Sequence, residues 1–114
     1  MHELSIAQHI GEIVKNEAKE RNALAISSIL VEVGELAGVE LEALQFAWDS
    51  ILSDQLLKDV SLTINTIPGR AICIQCKQEF DMHDFFEVCP VCNGFDTDVI
   101  QGKEIRIKEI EIEY

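Results

Sequence analysis

Three patterns predict an α+β protein. Two stretches carry apolar residues at helical spacing, three alternate apolar with polar residues, and two cysteine pairs lie between the second and third alternating stretches. In chain order these read helix, strand, helix, strand, cysteine segment, strand. The simplest arrangement is two helices on one face of a three-stranded mixed sheet, with a small cysteine-bearing lobe inserted before the last strand. The 114 residues suit about one such domain, and 47% of them are hydrophobic, enough to fill a core.

Ser5 followed by Gln8 reads as a capping box. Behind it Ala7, Ile10, Val14 and Ala18 share one helical face, Ile6 and Ile13 widen the stripe, and Asn22 is a stop signal, so the first helix is expected over 5–21. Ile29, Val31 and Val33 alternate with Leu30, Glu32 and Gly34, which gives a strand over 27–35. Gly38 breaks the chain, and Leu41, Leu44, Trp48 and Ile51 place a second helix at 40–53, with Trp48 and the leucines as core. Val60, Leu62 and Ile64 form the second strand, which Pro68-Gly69 ends.

In the last strand Ile105 and Ile107 are the apolar positions before Lys108-Glu109, and Ile110 and Ile112 after it. One extra residue reverses the buried face, and a β-bulge is the usual device. The alternative is a strand that passes there from the cysteine lobe to the main sheet. Glu109, Glu111 and Glu113 read as its solvated face. The resulting division is an α/β domain of residues 1–68 and 103–114 and a smaller domain of residues 69–102.

That smaller domain contains Cys73-Ile74-Gln75-Cys76 and Cys89-Pro90-Val91-Cys92, separated by the twelve residues Lys77 to Val88. A two-residue spacer turns two sulfurs toward one ion, and twelve residues make a hairpin that brings the pairs together. The expected product is a zinc-ribbon-like site of four thiolates for structural Zn²⁺. A lobe of about 34 residues is too short to stand on its own core without a metal or disulfides. Phe80, Phe85 and Phe86 are placed to pack around the site. His83, between the pairs, reads as a hairpin histidine with an alternative role as a ligand.

The net charge of −12 argues against nucleic-acid backbones, which require clustered Lys and Arg. No stretch approaches the ~20 apolar residues of a membrane span. Met1-His2-Glu3-Leu4-Ser5 lacks the features of a signal peptide. A cytoplasmic location is therefore expected, where metal is favoured over disulfides.

His2 lies beside the α-amine of Met1. Amine, backbone amide and imidazole nitrogens close adjacent chelate rings, a nitrogen-rich planar set that suits Ni(II) or Cu(II). His9 is seven residues further on, ~10 Å away along a helix, too far to share one ion with His2. It reads as a surface helix residue.

With Met1-His2-Glu3 at its start, Gly34-Glu35 ending its first strand and the paired C-x-x-C motifs, the chain resembles the HypA/HybF family over essentially its full length. Those proteins are nickel metallochaperones that mature [NiFe]-hydrogenase, and in some organisms they also serve urease. The resemblance implies that His2 is the main nickel ligand, with backbone nitrogens at Met1 and Glu3. The Glu3 side chain and Glu40 are further candidates. It assigns zinc to Cys73, Cys76, Cys89 and Cys92. Some members carry histidines flanking the cysteine pairs; here Lys77 and Asn93 stand there instead. The implied partners are a nickel-binding accessory GTPase and the large-subunit precursor of a [NiFe]-hydrogenase, with the carrier itself a monomer or weak homodimer.

Two other readings compete with nickel delivery: a rubredoxin-like iron electron carrier and a zinc-ribbon adaptor that binds protein only. Catalysis has little support, since neither a phosphate-binding G-x-x-x-x-G-K-[ST] loop nor a G-x-S-x-G elbow is present.

Overall fold

The computed structural model describes residues 3–52, 57–58 and 60–114, so Met1 and His2 lie outside the described residues. The elements are α1 (Glu3–Glu20), β1 (Ala25–Gly34), α2 (Leu41–Ser50), β2 (Ser61–Ile67), β3 (Arg70–Cys73), β4 (Glu79–Asp81), β5 (Thr97–Gln101) and β6 (Ile105–Glu113). They form two three-stranded sheets, ordered β2-β1-β6 and β4-β3-β5. The chain divides into two compact units. The first takes in the chain up to Val31 with Val39–Asn65 and Arg106–Tyr114, and the second comprises Glu32–Gly38 and Thr66–Ile105.

In the first unit α1 buries Ala7, Ile10, Gly11, Val14 and Ala18. Ser5 lies inside the helix, which already includes Glu3, so Ser5 is not its N-cap; acidic Glu3 instead sits in the first turn, where it complements the helix dipole. Ile13, expected in the apolar stripe, is 43% exposed. At the other end Asn22 is left-handed (φ 54°), with Ala23 N–H donating to Ala18 O (2.9 Å) and Asn22 N–H to Lys19 O (3.2 Å). These are the two bonds of a Schellman ending, and they explain why the helix stops at the asparagine.

Helix α2 is shorter than 40–53 because Ser50 Oγ donates to Ala47 O (2.7 Å) and Ile51 leaves helical geometry. Leu44 and Trp48 are fully buried, as expected, and Trp48 Nε1 donates to Val60 O (3.2 Å). Gly11 keeps α1 close to this cluster: a Cβ there would reach Leu57 Cδ1 at 3.2 Å and Ile51 Cδ1 at 3.3 Å. Among the described residues no helix is long and apolar enough to cross a membrane.

Three backbone bonds fix the strand directions of the first sheet. Leu24 N–H donates to Glu113 O and Gly34 N–H to Glu104 O, so the start of β1 lies at the end of β6 and the pair is antiparallel. Glu35 N–H donates to Ile67 O, so β1 and β2 end together and run parallel, as the α2 crossover requires. The sheet is therefore mixed. Along β6 the half-buried positions are Ile105, Ile107, Ile110 and Ile112, and Lys108 and Glu109 are consecutively exposed. The phase reversal read from the sequence thus falls inside one continuous strand. In β1 the burial phase also changes, at Ser27-Ser28, and Ser27 Oγ donates to Glu111 O (3.2 Å).

The second unit is organised on β3, antiparallel to both β4 and β5, with Ala71 opposite Phe80 and Val99. Its core is Leu36, Ala71, Cys73, Phe80, Met82 and Cys89, with Val99 packed against it. Phe80 is buried as expected. Phe85 and Phe86 are not, at 53% and 91% exposed. Leu36 enters this core from the segment following β1, held by Leu36 N–H donating to Gly102 O (2.7 Å). That approach depends on Gly102, whose φ is +97° and where a Cβ would lie 2.7 Å from Gly69 Cα.

Candidate metal centre

The repeated C-x-x-C sequence is repeated in geometry. In the first knuckle Cys73 N–H donates to Gln78 O (2.9 Å) and Lys77 N–H to Cys73 O (2.9 Å). In the second, Cys89 N–H donates to Gly94 O (3.1 Å) and Asn93 N–H to Cys89 O (2.8 Å). Each turn leaves the residue after its second cysteine left-handed, Lys77 at φ 65° and Asn93 at φ 59°. Asn tolerates that region well. The knuckles meet through Gly94, where a Cβ would lie 2.6 Å from Gln75 Oε1.

All four Sγ atoms lie within 4.8 Å of one another. Cys73 Sγ is 3.5 Å from Cys92 Sγ, and Cys76 Sγ is 3.6 Å from Cys89 Sγ. Sulfurs ~2.3 Å from a tetrahedral zinc stand ~3.8 Å apart, so the spacing fits one ion, whereas a disulfide requires ~2.05 Å. The first cysteine of each pair is buried and the second exposed.

The electrostatics fit a cation equally well. The Cys76 amide pulls the Cys73 thiol down to about 7, against burial, with help from the Cys92 thiol and the Gln75 amide. The Gly94 amide also lowers Cys92, but the Cys73 thiol, burial and the remaining two thiols outweigh it and push Cys92 up to about 12. Backbone amides of Cys92 and Val91 likewise lower Cys89. Four sulfurs this close cannot all ionise beside one another, although backbone N–H groups are aimed at them as thiolate acceptors. A divalent cation resolves that conflict.

His83 is occupied elsewhere. Its Nδ1 lies 2.9 and 3.0 Å from the two Glu35 carboxylate oxygens, and Glu35 Oε1 also accepts the Gly69 N–H (2.9 Å). The Glu35 hydrogen bond and charge raise the His83 pKa; the Gly69 N–H and His83 lower that of Glu35. Sequence reasoning does not join these two, which are 48 residues apart. The Gly34-Glu35 dipeptide is the one available signal.

Among the described residues the four cysteines are the one compact group of three or more metal-ligating side chains. His9 is exposed on α1. Glu3 is half-buried in the first turn of α1, and Glu40 is exposed at the N-cap of α2 (φ −82°, ψ 111°) with no side-chain capping bond.

Comparison with known proteins places this geometry in context. The family described as hydrogenase/urease nickel incorporation, metallochaperone, hypA matches residues 1–112. The hydrogenase maturation factor HypA of Geobacter metallireducens is 38% identical over 113 residues, covering 99% of this chain and 100% of that one. Its counterpart in Albidiferax ferrireducens is 34% identical over 113 residues, with the same coverage. The solution structure of the Ni metallochaperone HypA from Helicobacter pylori aligns with a TM-score of 0.71 at 23% identity, over 99% of this chain and 98% of that chain, a likeness of fold.

Proposed function

The chain belongs to the HypA family of hydrogenase and urease nickel-incorporation metallochaperones, and from that premise we propose how it divides cargo from structure. It is a nickel metallochaperone of hydrogenase maturation, a carrier and not an enzyme. Its role places it among the hydrogenase maturation machinery. Within that role, Cys73, Cys76, Cys89 and Cys92 hold a structural zinc, and the residues around 69–102 serve as its domain. Nickel, the cargo, is taken up at the N-terminus by His2, the α-amine and the neighbouring backbone nitrogens, with Glu3 or Glu40 as additional ligands from the α/β domain of 1–68 and 103–114.

The observation that carries this division is the closed sulfur cluster. Four ligands complete a tetrahedral site and leave no open position for an ion in transit. A carrier also has to release its ion, and a terminal site built on one imidazole and an amine is easily displaced by a partner. Both nitrogens shed protons to bind metal, so affinity falls on acidification through ~8 to ~6.5. The partners proposed are a nickel-binding accessory GTPase and the hydrogenase large-subunit precursor, in the cytoplasm; delivery to urease is the second destination.

The test is a nickel titration of untagged, zinc-loaded protein beside His2→Ala. One nickel bound per chain and lost in the variant, with zinc retained, is the expected result. Nickel binding that survives the substitution overturns the N-terminal assignment.

A further inference from the structure

We infer that the outer face of the β4-β3-β5 sheet docks a basic amphipathic helix of a partner protein. Ala71, Cys73 and Phe80 turn into the core of the second unit, so their strand neighbours lie on the opposite face. There Ile72 stands opposite Glu79 of β4 and Asp98 of β5, and Arg70 stands opposite Asp81. The β3–β5 ladder runs one step further, with Ile74 N–H donating to Asp96 O (2.9 Å). The face is therefore a central row, Arg70-Ile72-Ile74, between two acidic margins. Ile72 is half-buried, Ile74 is 44% exposed, and all four carboxylates are exposed.

The occupant follows from charge and width. Arg70 is already engaged by Asp81, whereas Glu79, Asp96 and Asp98 meet no basic side chain among the described residues. Over residues 69–102 six acidic side chains stand against two basic ones, and four thiolates on Zn²⁺ would add −2. That field attracts a cationic partner and repels nucleic acid. A second copy would bring the same acidic face and is repelled as well. The two margins are two strand spacings apart, ~10 Å, which is the width of one helix. The row from Arg70 to Ile74 is four strand rises long, ~13 Å, or about nine helical residues. A helix whose apolar stripe is flanked on both sides by Lys and Arg has the same three lanes with the charge reversed. An extended segment does not, because one face of a strand is a single row. At the Ile74 end Phe95, next to Asp96 and 85% exposed, supplies an aromatic anchor.

The contact is a transient one. So short a helix buries less than the ~1,200 Å² of a standard interface, and its exposed ion pairs are screened by salt.

A titration of ¹⁵N-labelled, zinc-loaded chain tests the proposal, with a synthetic helix of ~14 leucines and lysines in amphipathic order as the probe and a scrambled peptide of the same composition beside it. Amide shifts should concentrate on Ile72, Ile74, Glu79 and Asp98. Glu79→Lys/Asp98→Lys should weaken binding about tenfold or more, since both margins then repel the peptide. Glu109→Lys/Glu111→Lys, an equal change of charge on β6, should cost no more than about twofold. Retained dispersion of the β3 amides shows that each variant folds, and the shift map of the wild type decides without them. Shifts spread over the acidic surface of the first unit overturn the proposal. So does equal binding of the scrambled peptide, or an equal loss in the two variants.

Discussion

Removing zinc should dismantle the second unit while leaving the first in place. The non-ligand side chains that dominate its core are Leu36, Phe80 and Met82, at 5%, 7% and 0% exposure. Full burial of such side chains contributes about 1.5–3 kcal/mol each, so together roughly 5–9 kcal/mol. Structural zinc supplies about 10–16 kcal/mol of apparent binding free energy. The apolar contribution is the smaller of the two, and it has to be set against about 1–2 kcal/mol of backbone entropy for each residue ordered in this unit. Two further members of that core, Cys73 and Cys89, are themselves proposed ligands, so extracting the ion also brings buried sulfurs back to the protonation conflict described above.

The chain carries its own reporter for the other half of this expectation. Trp48 is the sole tryptophan, fully buried in the first unit. On chelation at neutral pH, amide resonances of β3, β4 and β5 should collapse toward random-coil positions while Trp48 emission stays blue-shifted. A red shift of Trp48 in step with the loss of those resonances would refute the reasoning, because it would make the α/β core depend on the metal. Retention of the resonances in metal-free protein would refute it from the other side.

Two further perturbations probe how the segment following β1 is fastened. The His83 pKa is raised by Glu35, so the stabilisation from this pair is full below the ordinary histidine value of ~6.5 and fades as pH rises through the higher folded value; Glu35 is depressed, so the lower limit is set by its own protonation in acid. An NMR titration of the His83 ring should show a midpoint above ~6.5 that falls back in Glu35→Gln, and a midpoint that ignores the substitution would contradict the pairing. Gly102→Ala forces a side chain into left-handed backbone and against Gly69 Cα. It should cost about 1–3 kcal/mol of second-unit stability, read as a lowered denaturation midpoint with zinc still bound.

Periodicity makes the first unit legible because local spacing and burial agree there. Ile29, Val31 and Val33 are buried on alternate positions of β1, and Leu44 and Trp48 on one face of α2. Helix boundaries depend on local hydrogen bonds: Ser50 closes α2 early, and Asn22 ends α1 where the sequence places a stop. The cysteine knuckles are legible because metal chemistry imposes its own spacing. Ile13, Phe85 and Phe86 depart from expectation for a common reason: hydrophobicity does not guarantee burial, and these side chains face out of their helix and turn. Glu35 is illegible as an anchor, since no local pattern joins it to His83 and Gly69 far along the chain.

The same distinction separates the two metals. A structural site is written into sequence by its spacing, because the backbone turn and the ion require each other: Lys77 and Asn93 adopt left-handed conformations so that amides can aim at sulfur. A cargo site cannot be fastened so tightly, for an ion held by a closed and buried shell does not leave. The signature of the site proposed for it is correspondingly slight, one imidazole beside an amine at Met1-His2.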